Sequence, residues 1–92
     1  MLEGFGDWYY ENGDKYSGEW KSNKKNGNGQ YFYKDGHLYN GQFKDDRRDG
    51  KGKLSYADGA EYDGDWFDDM VQGKGKMIYS NGSVYIGMWK SD

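Results

Sequence analysis

The sequence predicts an all-β protein built as an elongated antiparallel array of repeated β-hairpins. Three observations support this fold class: an internal period of 23 residues, a turn dipeptide that recurs at the same interval, and the absence of any stretch with the apolar spacing of an amphipathic helix. Periods of about 20 to 50 residues are typical of repeat architectures. The 92 residues therefore indicate a quasi-linear array rather than a globule around a single core.

Glycines and aromatic residues fall into columns when the chain is aligned on itself at this period. The motif Tyr-x-Gly-x-aromatic occurs as YSGEW (16–20), YNGQF (39–43), YDGDW (62–66) and YIGMW (85–89). Four columns, one of them the glycine of this motif, contain all 16 glycines. The aromatic columns are Tyr16, Tyr39, Tyr62 and Tyr85; Tyr10, Tyr33, Tyr56 and Tyr79; and Trp20, Phe43, Trp66 and Trp89. Agreement between the units of one chain makes a chance origin untenable.

Each unit is predicted to contain two short strands. In the first full unit, 16–21 alternates with period 2 and forms one strand, 22–26 forms a polar loop, and 27–33 forms the second strand. Tyr, Trp and Phe favour strands, and the chain has no Pro that would interrupt a hydrogen-bonded ladder. The array then divides into a partial unit 4–15, full units 16–38, 39–61 and 62–84, and a half unit 85–92.

The turn that closes each hairpin decides which rings share a face of the sheet. Asn-Gly or Asp-Gly closes every unit, as at 35–36. A two-residue turn there would place Tyr31 and Tyr39 on opposite faces. A three-residue turn over 34–36, with Gly36 at positive φ, would pair Tyr31 with Tyr39 and gather the recurrent rings and glycines on one face. We favour the three-residue turn for that reason.

Glycine inside a strand weakens it, so the recurrent glycines need a structural role. We expect Gly18, Gly27 and Gly29 to form a trough in which a neighbouring ring lies against the backbone. Rings held in this way would continue along the sheet, which eight strands at ~4.8 Å spacing make about 38 Å long.

Composition and charge exclude several classes of function. The formal net charge is −3 with both signs interspersed, which argues against a nucleic-acid-binding protein. The absence of Cys excludes disulfides and thiolate metal sites and fits an intracellular, reducing compartment, so we expect a cytoplasmic location, either free or associated with the cytoskeleton or a membrane. No window approaches the roughly 20 apolar residues of a membrane span. Because the array starts and stops inside a unit, we expect the chain to be part of a longer protein.

No catalytic constellation is visible, and we predict a protein that is not an enzyme, with no catalytic residue, no cofactor and no metal site. His37 is the only histidine and has no orienting partner in the sequence, so we expect a solvated or cross-strand residue. Gly27-Asn28-Gly29 lacks the following helix of a phosphate-binding loop. The pairs Asp45-Asp46 and Asp68-Asp69 lack the rest of a calcium loop and are expected to be solvated.

The units YSGEWKSNKKNGNGQYFYKDG, YNGQFKDDRRDGKGKLSYADG and YDGDWFDDMVQGKGKMIYSNG resemble MORN repeats (membrane occupation and recognition nexus). The resemblance extends over about four units, from Gly4 to Trp89, and departs mildly where Phe43 replaces a Trp. It implies a single-layer meander of β-hairpins with an aromatic-lined groove. It also implies a non-enzymatic scaffold that binds a peptide or helix of a protein partner, or that forms a homodimer through its terminal repeats.

The leading hypothesis is therefore a protein–protein interaction module whose aromatic columns contact the partner, because rigid aromatic surface is typical of binding hot spots. The expected groove residues are Tyr16, Trp20, Tyr33, Tyr39, Phe43, Tyr56, Tyr62, Trp66, Tyr79, Tyr85 and Trp89. The alternative hypothesis is a peripheral membrane module that binds anionic phospholipid headgroups through two equivalent loop pairs. Those pairs are Lys24 with Lys25, and Arg47 with Arg48.

Overall fold

A computed structural model describes residues 2–90 as one antiparallel sheet whose eight strands follow chain order from one edge to the other. The strands are β1 (Gly4–Tyr9), β2 (Lys15–Lys21), β3 (Lys24–Phe32), β4 (Leu38–Lys44), β5 (Arg47–Ser55), β6 (Glu61–Phe67), β7 (Met70–Ile78) and β8 (Val84–Trp89). The long axis is 43 Å. The predicted all-β meander of hairpins is confirmed.

The hairpin turns have three residues, as the register argument favoured. The amide of Tyr33 donates to the carbonyl of His37 at 2.9 Å, and the amide of Gly36 donates to the carbonyl of Tyr33 at 3.0 Å. Gly36 has a φ of 100°, where a residue with a side chain would be strained. Tyr31 therefore pairs with Tyr39, and the repeated rings share one face, called the aromatic face below.

Two of the three trough glycines hold a ring, and the third has another role. A Cβ atom at Gly18 or Gly29 would overlap the Tyr16 side chain, whose hydroxyl donates to the carbonyl of Glu19 at 2.9 Å. The prediction for Gly27 was wrong. Its φ is 97°, and a Cβ there would meet the Glu19 carboxylate, because a β-bulge between Gly18 and Trp20 re-aims this part of the hairpin.

The rings form one continuous edge-to-face ladder along the aromatic face. The ladder tyrosines Tyr16, Tyr39 and Tyr62 each contact the aromatic residue of their own unit and that of the next unit. The ring centroid of Tyr16 lies 5.0 Å from that of Trp20 and 5.2 Å from that of Phe43. Tyr39 and Tyr62 repeat the arrangement, with interplanar angles between 78° and 89°. Such pairs add about 0.5–1.5 kcal/mol each beyond area burial, so the ladder is the principal apolar core.

The predicted loop over 22–26 was wrong. The connection is a two-residue turn, Ser22-Asn23, with φ values of 51° and 67°, and β3 already begins at Lys24. These positive φ values match the hairpin turn whose twist suits the flanking strands, and Asn tolerates them. Lys25 consequently pairs with Trp20 inside the sheet instead of lying in a loop.

A second set of hydrogen bonds links each hairpin to the next one outside the strand ladders. The amide of Asp46 donates to the carbonyl of Lys25 at 3.0 Å, and the Asp46 carboxylate accepts from the Lys25 amide at 2.7 Å. Asp69 makes the same two bonds to Arg48, at 3.0 and 2.8 Å. These two aspartates, expected to be merely solvated, therefore fasten the preceding hairpin.

Candidate interaction surface

Most of the ladder rings are buried and offer a partner little surface. Tyr16, Tyr39 and Tyr62 are at most 1% exposed. Burial raises the pKa of the Tyr16 hydroxyl to about 12. Trp20, Phe43 and Trp66 are also buried. These six predicted groove residues form the floor of the aromatic face, so a partner would meet the side chains above them.

The other five predicted groove residues remain accessible. Tyr33, Tyr56 and Trp89 are half-buried, and Tyr79 and Tyr85 are exposed. The sequence columns did not single out Tyr31, which packs against Tyr33 at 4.6 Å between centroids and donates to the Asp14 carboxylate at 2.8 Å.

Lys25 and Arg48 point onto the aromatic face. The Lys25 ammonium lies 5.4 to 5.9 Å from the centroids of four rings, and its carboxylate partner Asp46 is at 3.5 Å. The Arg48 guanidinium carbon lies 4.6 Å from the Trp66 ring centroid. Its Nε and Nη2 donate to the Asp69 carboxylate and carbonyl, at 3.2 and 2.8 Å. Both cations thus contact aromatic rings while paired with an acid.

Each of the two predicted basic pairs is split between the two faces of the sheet. Lys24 and Arg47 are exposed and alternate with Lys25 and Arg48 along their strands, so they belong to the opposite face. Arg47 is paired there with Asp68 at 3.1 Å. One signal in the sequence could have revealed that Lys25 and Arg48 lie on the aromatic face. Val71 occupies the same column of the repeat, and an apolar residue in a column indicates that its side chains point towards the core.

A pocket of about 360 Å³ opens on the C-terminal half of the aromatic face. Its lining is mostly aromatic and aliphatic, with one ion pair at its wall. The lining residues are Arg48, Leu54, Tyr56, Tyr62, Trp66, Asp69, Val71, Met77, Tyr79 and Trp89. Closer to the N-terminus, a pocket of about 220 Å³ has Lys25, Tyr31, Asp46 and the Arg48–Asp69 pair among its lining residues and is more polar.

The column of Tyr31 helps to decide where the larger pocket opens. Tyr31 fills the space above the ladder in the first full unit, whereas Leu54 and Met77 stand at the equivalent positions of the next two units. Because these aliphatic side chains are smaller than a tyrosine, space remains beside them. The ladder below is the same in each unit.

Histidine and acidic side chains form no metal-binding cluster in the described part of the chain. His37 accepts a hydrogen bond from the Ala57 amide through Nδ1 at 2.8 Å, and so joins one turn to the next. Among residues 2–90 no three His, Cys, Asp or Glu side chains lie together as metal ligands would. The same residues include no helix that could cross a membrane.

A sheet built from one recurring hairpin, with a ring ladder as its core, defines a β-hairpin repeat protein. The family model of the MORN repeat matches three consecutive stretches, 16–38, 39–61 and 62–84. The chain therefore belongs to the MORN repeat family. No curated protein matches it.

MORN repeats are generally non-catalytic modules for interaction with proteins or membranes. Three repeats are matched, and the partial unit 4–15 and half unit 85–92 stay predictions. The last two residues of that half unit lie outside the described residues.

Proposed function

We propose that this chain is a non-enzymatic scaffold module that binds a peptide or helix of a protein partner on the C-terminal half of its aromatic face. The observation that carries the proposal is the pocket of about 360 Å³ lined by Tyr56, Met77, Tyr79 and Trp89. Concave, mainly apolar sites with a few polar groups are the usual form of a binding site. Aromatic side chains in such positions are typical of hot spots.

The floor of this pocket is rigid, which favours binding. The hydroxyl of Tyr62 donates to the carbonyl of Asp65 at 3.1 Å, and the indole of Trp66 donates to the carbonyl of Gly52 at 3.1 Å. Both rings are buried and locked edge to face at 5.4 Å between centroids. A partner would therefore bind a preformed surface and lose little affinity to the ordering of side chains.

Binding to anionic phospholipid is the weaker proposal. Lys25 and Arg48 contact rings and aspartates on the aromatic face, and Arg47 is paired with Asp68 on the other. Each unpaired basic residue near an anionic surface adds about 1 kcal/mol, so this arrangement leaves little attraction. A homodimer through the terminal strands is also a proposal, and it is favoured by the exposed Ile86 and Met88 on β8. Cytoplasmic location stays a prediction.

The test compares two exposed rings on opposite faces. Peptides that bind the 92-residue chain are first selected from a displayed library. Their affinity is then measured for two variants, Tyr79→Ala, which removes a ring at the pocket, and Phe67→Ala, which removes a ring from the opposite face. We expect Tyr79→Ala to weaken binding at least about tenfold and Phe67→Ala to leave it unchanged. Both variants must keep the circular dichroism of the parent chain.

Two results would contradict the proposal. One is that the selected peptides lose affinity with Phe67→Ala and not with Tyr79→Ala, which would place the site on the opposite face. The other is that no peptide is selected while the protein co-sediments with phosphatidylserine vesicles at low salt and is released at high salt, which would support the membrane function.

A further inference from the structure

The first full unit and its two neighbours form an aromatic cage that the chain fills with its own cation. The ammonium of Lys25 lies 5.9 Å from the ring centroid of Tyr10, 5.8 Å from Tyr16, 5.4 Å from Tyr31 and 5.8 Å from Phe43. Its side chain is only 13% exposed. The negative faces of these rings and the Asp46 carboxylate at 3.5 Å offset the loss of hydration.

The second unit repeats the arrangement with a different cation. Arg48 occupies the position of Lys25, and its guanidinium carbon lies 4.6 Å from the Trp66 centroid and 6.0 Å from the Tyr39 centroid. Its side chain is 22% exposed and paired with Asp69. Two successive units therefore place a charged side chain among the rings at one and the same register position.

The third unit has the cage without the cation. Val71 pairs with Trp66 as Lys25 pairs with Trp20, but its side chain ends at two methyl groups. The residues equivalent to the four rings around Lys25 are Tyr56, Tyr62, Met77 and Trp89, and all of them line the pocket of about 360 Å³. That pocket thus lies where a long basic side chain lies in the preceding units.

We propose that this third cage takes up a lysine or arginine side chain supplied by the protein partner. The inference rests on the proposed function and deepens it, because it names the chemistry of the partner residue that enters the pocket. Three aromatic rings and the thioether side chain of Met77 would surround the incoming cation as four rings surround Lys25. Cation–π contacts of this kind strengthen as the cation loses water.

Arg48 at the wall of the pocket does not prevent a second cation from entering. Its charge is paired with Asp69 through Nε, at 3.2 Å. Equivalent positions in successive units are two strand spacings apart, about 10 Å. Lys25 and Arg48 already stand in that relation on the same face. A partner cation beside Val71 would stand in the same relation to Arg48.

The experiment uses two short peptides that differ in one side chain. The 92-residue chain, labelled with ¹⁵N, is titrated with acetyl-Gly-Gly-Arg-Gly-Gly-amide and with the same peptide carrying norleucine in place of arginine. We expect saturable shifts of the indole N–H signals of Trp66 and Trp89 with the arginine peptide, at concentrations on the order of a few millimolar. Trp20 pairs with Lys25 in the first full unit and does not line this pocket, so its indole signal should not shift.

Filling the cage from within provides the matched control. Val71→Arg adds the side chain that Arg48 carries at the equivalent position, and we expect it to lower the affinity for the arginine peptide at least tenfold. Phe67→Arg adds the same charge on the opposite face, where Phe67 is 59% exposed, and should leave binding unchanged. Should Val71→Arg fail to fold, Tyr56→Leu provides a second variant. It removes one ring of the cage and should also lower the affinity for the arginine peptide.

The possible results separate this inference from the proposed function. Equal shifts with the norleucine peptide, or arginine binding that both Val71→Arg and Tyr56→Leu leave intact, would overturn the cation site while the aromatic face remained a peptide-binding surface. Loss of partner peptides with Phe67→Ala instead of Tyr79→Ala would overturn the proposed function itself. Binding of the arginine peptide but not of the norleucine peptide, lost in Val71→Arg and kept in Phe67→Arg, supports the inference.

Discussion

The N-terminal and C-terminal halves of the aromatic face share one backbone and one ring ladder but present different surfaces. In the N-terminal half, Tyr31 and Lys25 occupy the space above the ladder and leave a polar pocket of about 220 Å³. In the C-terminal half, Met77 and Val71 stand at those positions, and the pocket is about 360 Å³ and mainly apolar. Two columns of the repeat therefore determine the surface, while the glycine and ladder columns determine the fold.

The largest expected effect concerns the part that the two halves share. Gly52→Ala places a Cβ where the Tyr39 ring lies, and buried overlap of this kind costs about 3 kcal/mol of unfolding free energy. Gly6→Ala is the matched control, because Gly6 stands in the same column but has only the Trp20 indole near its Cβ position, at 3.9 Å. Urea unfolding followed by tryptophan fluorescence measures both. Equal stability losses would show that the ring-on-glycine contact does not hold the ladder.

The second prediction uses pH to weaken the ladder in both halves at once. Burial raises the pKa of Tyr16 from 10.0 to about 12 and also raises the pKa of Tyr62. A raised pKa means that the folded state keeps the proton that the unfolded state releases. The stabilisation is therefore complete below pH 10 and is lost as the pH rises towards about 12. We expect the titration of Tyr16 to lower the unfolding free energy by about 2–3 kcal/mol across that interval, and Tyr62 to act in the same direction.

The measurement for this prediction is urea unfolding at several alkaline pH values. Tyr16→Phe serves as the control, because it removes one titrating hydroxyl but keeps the ring. The variant should be less stable than the parent below pH 10, since the bond from the hydroxyl to the Glu19 carbonyl is lost. The stability of the variant should then decline less steeply with pH. An identical decline would contradict the assignment of the effect to the buried hydroxyl.

The third prediction converts the N-terminal cage towards the C-terminal form. Lys25→Val removes the cation, and we expect a loss of about 1–2 kcal/mol from its ring contacts and its pairing with Asp46. Lys24→Val changes the neighbouring exposed residue and should alter stability by about 0.5 kcal/mol or less. Thermal or urea unfolding distinguishes the two. If Lys25→Val also acquires binding of the arginine peptide, the two cages are interchangeable. The column of Lys25 and Val71 would then be sufficient to explain why only one of them binds a cation from outside.

Sequence columns predicted the fold well because they recorded backbone constraints. Gly36 recurs where the turn requires positive φ, and Gly29 recurs where the Tyr16 ring touches the backbone. The tight turn at Ser22-Asn23 was missed because polar residues on both sides of it resemble a long loop. Since Lys25 was assigned to that loop, its position on the aromatic face was missed as well. The columns also could not show that Tyr16 and Tyr39 would be covered by the rings of neighbouring units, because burial depends on edge-to-face packing between units.

The strictly sequential order of the strands has a kinetic consequence. Every strand is hydrogen-bonded only to its neighbours in the chain, and Asp46 and Asp69 tie adjacent hairpins by contacts just over 20 residues apart. Loop closure between distant segments is therefore never needed. Folding can nucleate at any hairpin and spread in both directions, and tension applied at the two ends would peel strands away singly, like a zipper, instead of shearing the sheet as a whole.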